Sequence, residues 1–164
     1  MKRFFVRHQA ATSPRHWLLA GLGGFIAIGL TGGLSVWTGA PLLMAPFGAS
    51  CVLLFSLPGS PLSQPPNVIG GHLLATAIGL IFHALFPGEW WAAALAVSAA
   101  ISLMAAFRVT HPPAGADPLV VFAEAPGAEF LFFPVLIGSL VLVATAWGYH
   151  KLCRADYPLP ASRD

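Results

Sequence analysis

From His16 to Gly88 the chain carries no Asp, Glu, Lys or Arg, and that gap restricts the fold more than any motif does. An uncharged apolar run of about 18 residues is already long enough to be read as a membrane span, and this one has room for three. A soluble domain of such a size normally carries about 25% charged residues. Here they make up 9% of 164 residues, with a mean hydropathy of +0.77. The apolar stretches are continuous and not alternating, so they read as helices and not as strands of a membrane barrel. The expected fold class is an all-α integral membrane protein embedded in the lipid bilayer.

Four long apolar segments are expected as transmembrane helices: Trp17–Thr38, Val68–Phe86, Trp90–Phe107 and Phe130–His150. Trp17, Trp37, Trp90, Trp91, Trp147 and Tyr149 lie near their ends, where an aromatic ring rests at headgroup level. Residues 17–150 thus read as one transmembrane domain between a basic segment (1–16) and a tail (151–164). Lys2, Arg3, Arg7 and Arg15 stand before the first helix, and Lys151 and Arg154 follow the last. The positive-inside rule then puts both ends in the cytoplasm, and the expected location is the cell inner membrane. The first apolar run is too long for a signal peptide and lacks a small-residue cleavage site, so it is read as a retained helix. Gly29 and Gly33, then Gly71, Ala75 and Gly79, then Ala92, Ala96 and Ala100 recur at helix-packing intervals. The Gly29/Gly33 face or the alanine-rich third long helix is the expected seam of a homo-oligomer. Cys51 lies within the membrane and Cys153 beside it, so no disulfide is expected.

Two shorter apolar pieces lie between the long ones, and they match without gaps: "PFGASCVLLF" (46–55) on "PAGADPLVVF" (113–122). Pro46 falls on Pro113, Gly48 on Gly115, Ser50 on Asp117 and Phe55 on Phe122. Further on, "ATAIG" (75–79) matches "ATAWG" (144–148) after a slip of two residues. The chain reads as two tandem repeats, about 17–86 and 90–150. Each is a long helix, a Pro-Gly break, a short helix and a second long helix. Ser50 and Asp117 are the expected N-caps of the short helices, with Pro118 at a first helical position. A helix from Pro118 to Glu124 rises only about 10 Å, far short of a ~30 Å hydrocarbon core. Such a piece starts or ends inside the membrane, where open backbone is tolerated only against protein or a cavity. Re-entrant short pieces give four crossings; spanning ones give six, with the halves inverted. Six fits the charge bias, with Arg108 inside and Glu89, Glu124 and Glu129 outside.

Broken helices at matching places in two repeats mark a transporter's binding site. The expected substrate-binding set is Gly48, Ser50, Asn67, His72, Arg108, His111, Gly115 and Asp117. Backbone N–H groups at the starts of the short helices would donate to a small anion, and the two glycines would let it approach. Arg108 would supply the compensating charge. His72 and His111 would donate hydrogen bonds, with their protonation coupling transport to pH. Plainer roles stand beside these. Arg108 snorkels from its helix end, His111 satisfies a carbonyl, Asp117 only caps, and Asn67 caps the helix whose one face carries His72, Thr76, Gly79 and His83. Thr76 suits an interhelical seam and His83 an interfacial position. No Gly-rich phosphate loop, metal-binding His pair or nucleophile with a base is present, so neither an enzyme nor a metal or other cofactor is expected. A basic patch with interleaved aromatics is also missing, which argues against a nucleic-acid partner.

At these motifs the chain resembles the HPP family of integral membrane proteins. "APFGAS" (45–50), "PLSQPPNVIGGH" (61–72) and "THPPAGADPLVVF" (110–122) are similar to its signature stretches, in the family's order. One departure is Pro66, where the resemblance leads to Arg. The family's association with nitrite transport implies a transporter or channel for a small monovalent anion, nitrite first. The competing expectation is a non-transporting membrane scaffold, lipid-contacting protein or sensor.

Overall fold

The computed structural model describes residues 2–160, and every regular element among them is helical. Residues 161–164 of the expected tail, and the side chains of Lys2 and Arg3, lie outside what is described. Six α-helices follow in order: α1 (Pro14–Thr38), α2 (Pro46–Ser56), α3 (Pro65–Leu85), α4 (Trp90–Ala106), α5 (Asp117–Glu124) and α6 (Ile137–Cys153). Three stretches are long and apolar enough to cross a bilayer: α1, α3 and Ala128–Cys153, which ends in α6. The protein is therefore a membrane protein. The expected fourth span, α4, has 17 residues and rises about 25 Å, so it is a shorter apolar helix.

The helix ends follow local chemistry. Ser13 accepts a hydrogen bond from the His16 N–H, Pro14 opens α1, and Gly39 closes it at φ 71°. Pro65 and Pro66 open α3, in a first turn whose N–H groups have no helical partner. The expected long helix from Phe130 is instead broken. A 3-10 turn, Ala128–Leu131, leads to a kinked turn at Phe132–Leu136, and only then does α6 begin. Pro134 is the cause: it donates no hydrogen bond and drives the residue before it out of the helical region. Phe133 accordingly sits at φ −129°, ψ 111°.

The short helices also differ from expectation. α2 starts four residues before Ser50, so Ser50 lies inside the helix and does not cap it. A 3-10 turn (Pro112–Ala116) runs straight into α5, and Asp117 is already helical at φ −59°, ψ −42°. With the chain already turning, neither side chain is needed as a cap, and both are free to point inward.

α1 packs on α2 and α6, α3 packs on α4 and α5, and α3 meets α6 at the centre. Glycine permits two of the closest approaches. A Cβ on Gly71 would lie 2.7 Å from His111 Cβ and 3.0 Å from the Val109 carbonyl oxygen. On Gly138 it would strike the Phe47 ring and lie 2.8 Å from the Leu42 carbonyl oxygen. Ala92, Ala96 and Ala100 are fully buried, with Ala96 and Ala100 packed beside Ala75 and Ile78 of α3. This alanine stripe packs inside the bundle, while Trp90, Leu95 and Ile101 leave another face of α4 exposed. Gly29 and Gly33 are exposed.

Hydrogen bonds gather four parts of the chain at one end of the bundle. The Tyr149 hydroxyl donates to Leu19 O (2.7 Å), and His150 Nε2 donates to Leu54 O (2.8 Å). Tyr157 donates to Ser63 O (3.1 Å), and the Leu159 N–H donates to Gln64 Oε1 (2.8 Å). Burial raises the Tyr157 phenol's pKa, which keeps it a donor. The opposite end is closed by aromatic pairs, Phe86 with Trp91 and His83 with Phe122.

Candidate functional site

The polar centre is assembled from elements far apart in the chain. His72 and Thr76 lie one turn apart on α3 and so share a face. α2 contributes Ser50, the extended run before α5 contributes His111, and α5 itself contributes Asp117. All five are 0% exposed, so each polar atom needs a partner within the protein.

The partners are mostly one another. His111 Nδ1 lies 2.8 Å from Leu62 O, and its Nε2 lies 2.9 Å from Ser50 Oγ. Ser50 Oγ is also 2.9 Å from His72 Nε2 and 3.3 Å from Pro46 O. His72 Nδ1 lies 2.8 Å from Asp117 Oδ2, which also accepts from the Thr76 hydroxyl at 3.1 Å. The His72 ring meets Phe47 edge-on at 5.3 Å and His111 at 5.1 Å between centroids. One atom is left over: Asp117 Oδ1 is buried without a partner. From the start of α3, whose length is about 31 Å, His72 lies roughly 10 Å along and Thr76 roughly 16 Å. The cluster therefore reaches from near one end of that helix to its middle.

Isolated charges at membrane depth are costly and usually face a partner or a pathway. The His72–Asp117 pair meets this cost by keeping opposite groups in direct contact, at the geometry a buried pair requires.

Four of the expected site residues thus come together: Ser50, His72, His111 and Asp117. Asn67 sits beside them in a different role from the expected cap. It is within the first turn of α3, and its amide donates to Thr110 O at 3.0 Å, tying α3 to the run that carries His111. Arg108 is exposed at φ 61°, in the left-handed turn that ends α4, and makes no ion pair with Asp117. Gly48 and Gly115 have no atom within 4 Å of where a Cβ would stand. The backbone donors expected to be free are occupied. The Phe47, Gly48, Ala114 and Asp117 N–H groups donate to Met44, Ala45, His111 and Ala114 carbonyls, and Pro46, Pro112, Pro113 and Pro118 have none. Where the anion was expected, between α2 and α5, lies a groove of about 820 Å³. Pro46, Ala49, Val52, Pro113, Ala116 and Leu119 are among its lining residues, and apart from Glu124 its wall is apolar. Leu62 O, the acceptor for His111, is a carbonyl of the 3-10 turn Pro61–Ser63 and has no sequence signature. Thr76 does form an interhelical hydrogen bond, but to Asp117.

The chain matches the HPP transmembrane-region family over residues 9–158. It belongs to the HPP transmembrane family. Two Dictyostelium discoideum proteins, each described as a transmembrane protein, are 37% identical over 127 residues and 36% identical over 126. These alignments cover 72% and 71% of this chain but only 45% and 40% of the relatives, so the chain spans less than half the length of either. No solved structure gives a significant match. The three stretches that carry the HPP resemblance converge on the cluster: the first ends at Ser50, the second at His72, and the third holds His111 and Asp117. Pro66, the departure from the HPP pattern, is exposed on α3 and takes no part in it.

Proposed function

We propose that this HPP protein is a transporter or channel for a small monovalent anion, nitrite first, whose path passes between the two short helices α2 and α5. One observation carries the reading: a fully buried hydrogen-bonded cluster, with Ser50 from α2, His72 from α3, and His111 and Asp117 from the run before α5 and α5 itself, lies beside the groove. Structural packing alone has no need of Asp117 at such depth, where an ionisable group is a functional hypothesis by default.

Two inverted repeats support a transport path. The offset that sets Pro46 on Pro113 also sets Leu42 on Val109 and Gly71 on Gly138. The spatial contacts obey it, since Gly71 abuts Val109 and Gly138 abuts Leu42. The gathering of Leu19, the α2–α3 loop and the end of α6 at one end agrees with six crossings. In this reading that end is cytoplasmic, in the cell inner membrane, with Arg108 inside. Glu89, Glu124 and Glu129 lie outside. A homo-oligomer would use the exposed Gly29/Gly33 face, and no catalytic role is assigned.

Uptake of nitrite, nitrate and formate by proteoliposomes, compared with protein-free vesicles, tests the reading. No uptake above the protein-free level would assign the lipid-contacting scaffold instead, which the apolar wall of the groove favours. For topology, a Glu89→Cys variant in a Cys153→Ser background should react with an impermeant label from the periplasmic side. Reaction only from the cytoplasmic side overturns the six-crossing arrangement.

A further inference from the structure

The protons of the cluster are tightly constrained by its hydrogen bonds. A carbonyl only accepts, so His111 Nδ1 carries a proton toward Leu62 O. Three pairings remain: Asp117 Oδ2 with His72 Nδ1, His72 Nε2 with Ser50 Oγ, and Ser50 Oγ with His111 Nε2. Each needs one proton to be a hydrogen bond, and the serine hydroxyl supplies only one of them.

Three arrangements satisfy every pairing. In the first, Asp117 is protonated and donates to neutral His72, which donates to Ser50, which donates to neutral His111. In the second, the Asp117 proton has moved to His72 Nδ1, leaving carboxylate and imidazolium. In the third, His72 Nε2 has given its proton to Ser50 Oγ while the original Ser50 proton has moved to His111 Nε2. His72 is neutral again and His111 is the imidazolium. All three have zero net charge. One proton thus passes between Asp117 and His111 through a reversal of the Ser50 hydroxyl, and all three side-chain pairings are kept in each end state, with the longer Ser50 contact to Pro46 O given up.

We infer that this cluster is a one-proton relay, taking up a proton at one end as it releases one at the other and returning to a neutral arrangement, and that the anion crosses together with one such proton, one for one. The inference rests on the anion-transport reading above and names its second substrate. Two further observations point the same way. The groove beside the relay holds no fixed cation, Arg108 being exposed at the end of α4, and the ionisable residue that lines it is the acid Glu124. An anion in an apolar groove needs a counter-charge, and one proton added to the neutral relay, which gives the cluster one positive charge, is the one this site can provide. At the inner end of the relay Asp117 Oδ1 is an unpartnered acceptor, suited to the O–H of a protonated small anion. Beside the relay Met104 of α4 lies against Gly71, and the ionisable group of the adjoining groove is Glu124 at the end of α5. His150 bonds Leu54 O at one end of the bundle and His83 packs on Phe122 at the other.

The test is nitrite uptake by proteoliposomes with a lumenal pH dye, first with the membrane potential clamped at zero and an acid exterior, then with a potential and no pH gradient. With one-for-one coupling, a gradient of about one pH unit sustains an anion gradient of about tenfold, the two being the same free energy. The potential alone drives nothing. Ser50→Ala removes the hydroxyl that reverses and should slow the proton-linked uptake about tenfold or more, whereas Ser50→Thr keeps a hydroxyl and should restore it in part. Uptake that follows the potential and ignores the pH gradient overturns the relay but leaves anion transport standing. Absence of any uptake overturns the transport reading, and the relay is then read by infrared spectroscopy of the purified protein. A carboxylic-acid band lost in Asp117→Asn should shift in His111→Gln if the two ends share a proton; a band unmoved by His111→Gln overturns it.

Discussion

At one junction α3 meets the run before α5, and Gly71 lies against Val109 and His111; at the other, α6 meets the run before α2, and Gly138 lies against Leu42 and Phe47. The backbones make the same approach at positions related by one offset in sequence. Their contents differ. His72 is matched by Ser139, His111 by Met44, and Asp117 by Ser50. Ser139 is buried like His72, but its hydroxyl only returns to Leu136 O at 2.9 Å on its own chain segment. The Met44 side chain is buried in the apolar core. Close helix packing in lipid needs small residues at both junctions. Buried ionisable groups must come as a complete partnered set, and the whole set sits at one junction. The close backbone approach is made at both junctions, while His72, His111 and Asp117 stand at one.

The comparison breaks first at His72. His72→Ala should cost about 3–5 kcal/mol, because Asp117 is left buried without its main partner. Ser139→Ala should cost only about 0.5–1.5 kcal/mol, the worth of one ordinary hydrogen bond. Unfolding of the purified protein in detergent measures both, and equal losses would mean that the cluster is not the polar centre of the molecule. Next come the glycines. Gly71→Ala and Gly138→Ala each force a methyl against backbone and should each cost about 1–3 kcal/mol by overpacking. A cost at only one would show that the two approaches are not equivalent.

Gly48→Ala has open space and a helical backbone, so it should stabilise α2 by about 0.5–1 kcal/mol. If it instead destabilises the purified protein, the open side of α2 is covered by something, and an oligomer contact there becomes the thing to measure. Smallest of all, Arg108→Ala should stay within about 0.5 kcal/mol, as for an exposed side chain without a partner. A loss as large as that of His72→Ala would place Arg108 in the electrostatics of Asp117 after all.

Much of the candidate site was legible in advance because a buried polar residue in so apolar a chain has few bland explanations. Ser50, His72, His111 and Asp117 stood out on that ground, and the gap-free match of 46–55 on 113–122 tied two of them together. Their roles were misread for a local reason. Ser, Asp and Asn before an apolar run resemble caps, and only the observed helix starts at Pro46, Pro65 and the Pro112 turn show that Ser50, Asn67 and Asp117 bond elsewhere. Arg108 was drawn toward the site by its charge, yet the left-handed turn at the end of α4 leaves it exposed.

By itself, the sequence determined the medium and the element type: a run without charge from His16 to Gly88 cannot stay in water, and continuous apolarity in lipid permits helices. It also determined where helices break, since Pro46, Pro65 and Pro134 act through their own rings on their own neighbours. Which polar atoms meet was decided only in three dimensions. Ser50, His72 and His111 are bonded across separations of 22 and 61 positions, and no local pattern encodes a partner so far away. Gly71 is what allows α3 to approach the run that carries His111, and that approach, made by packing, turns four scattered residues into one hydrogen-bonded chain.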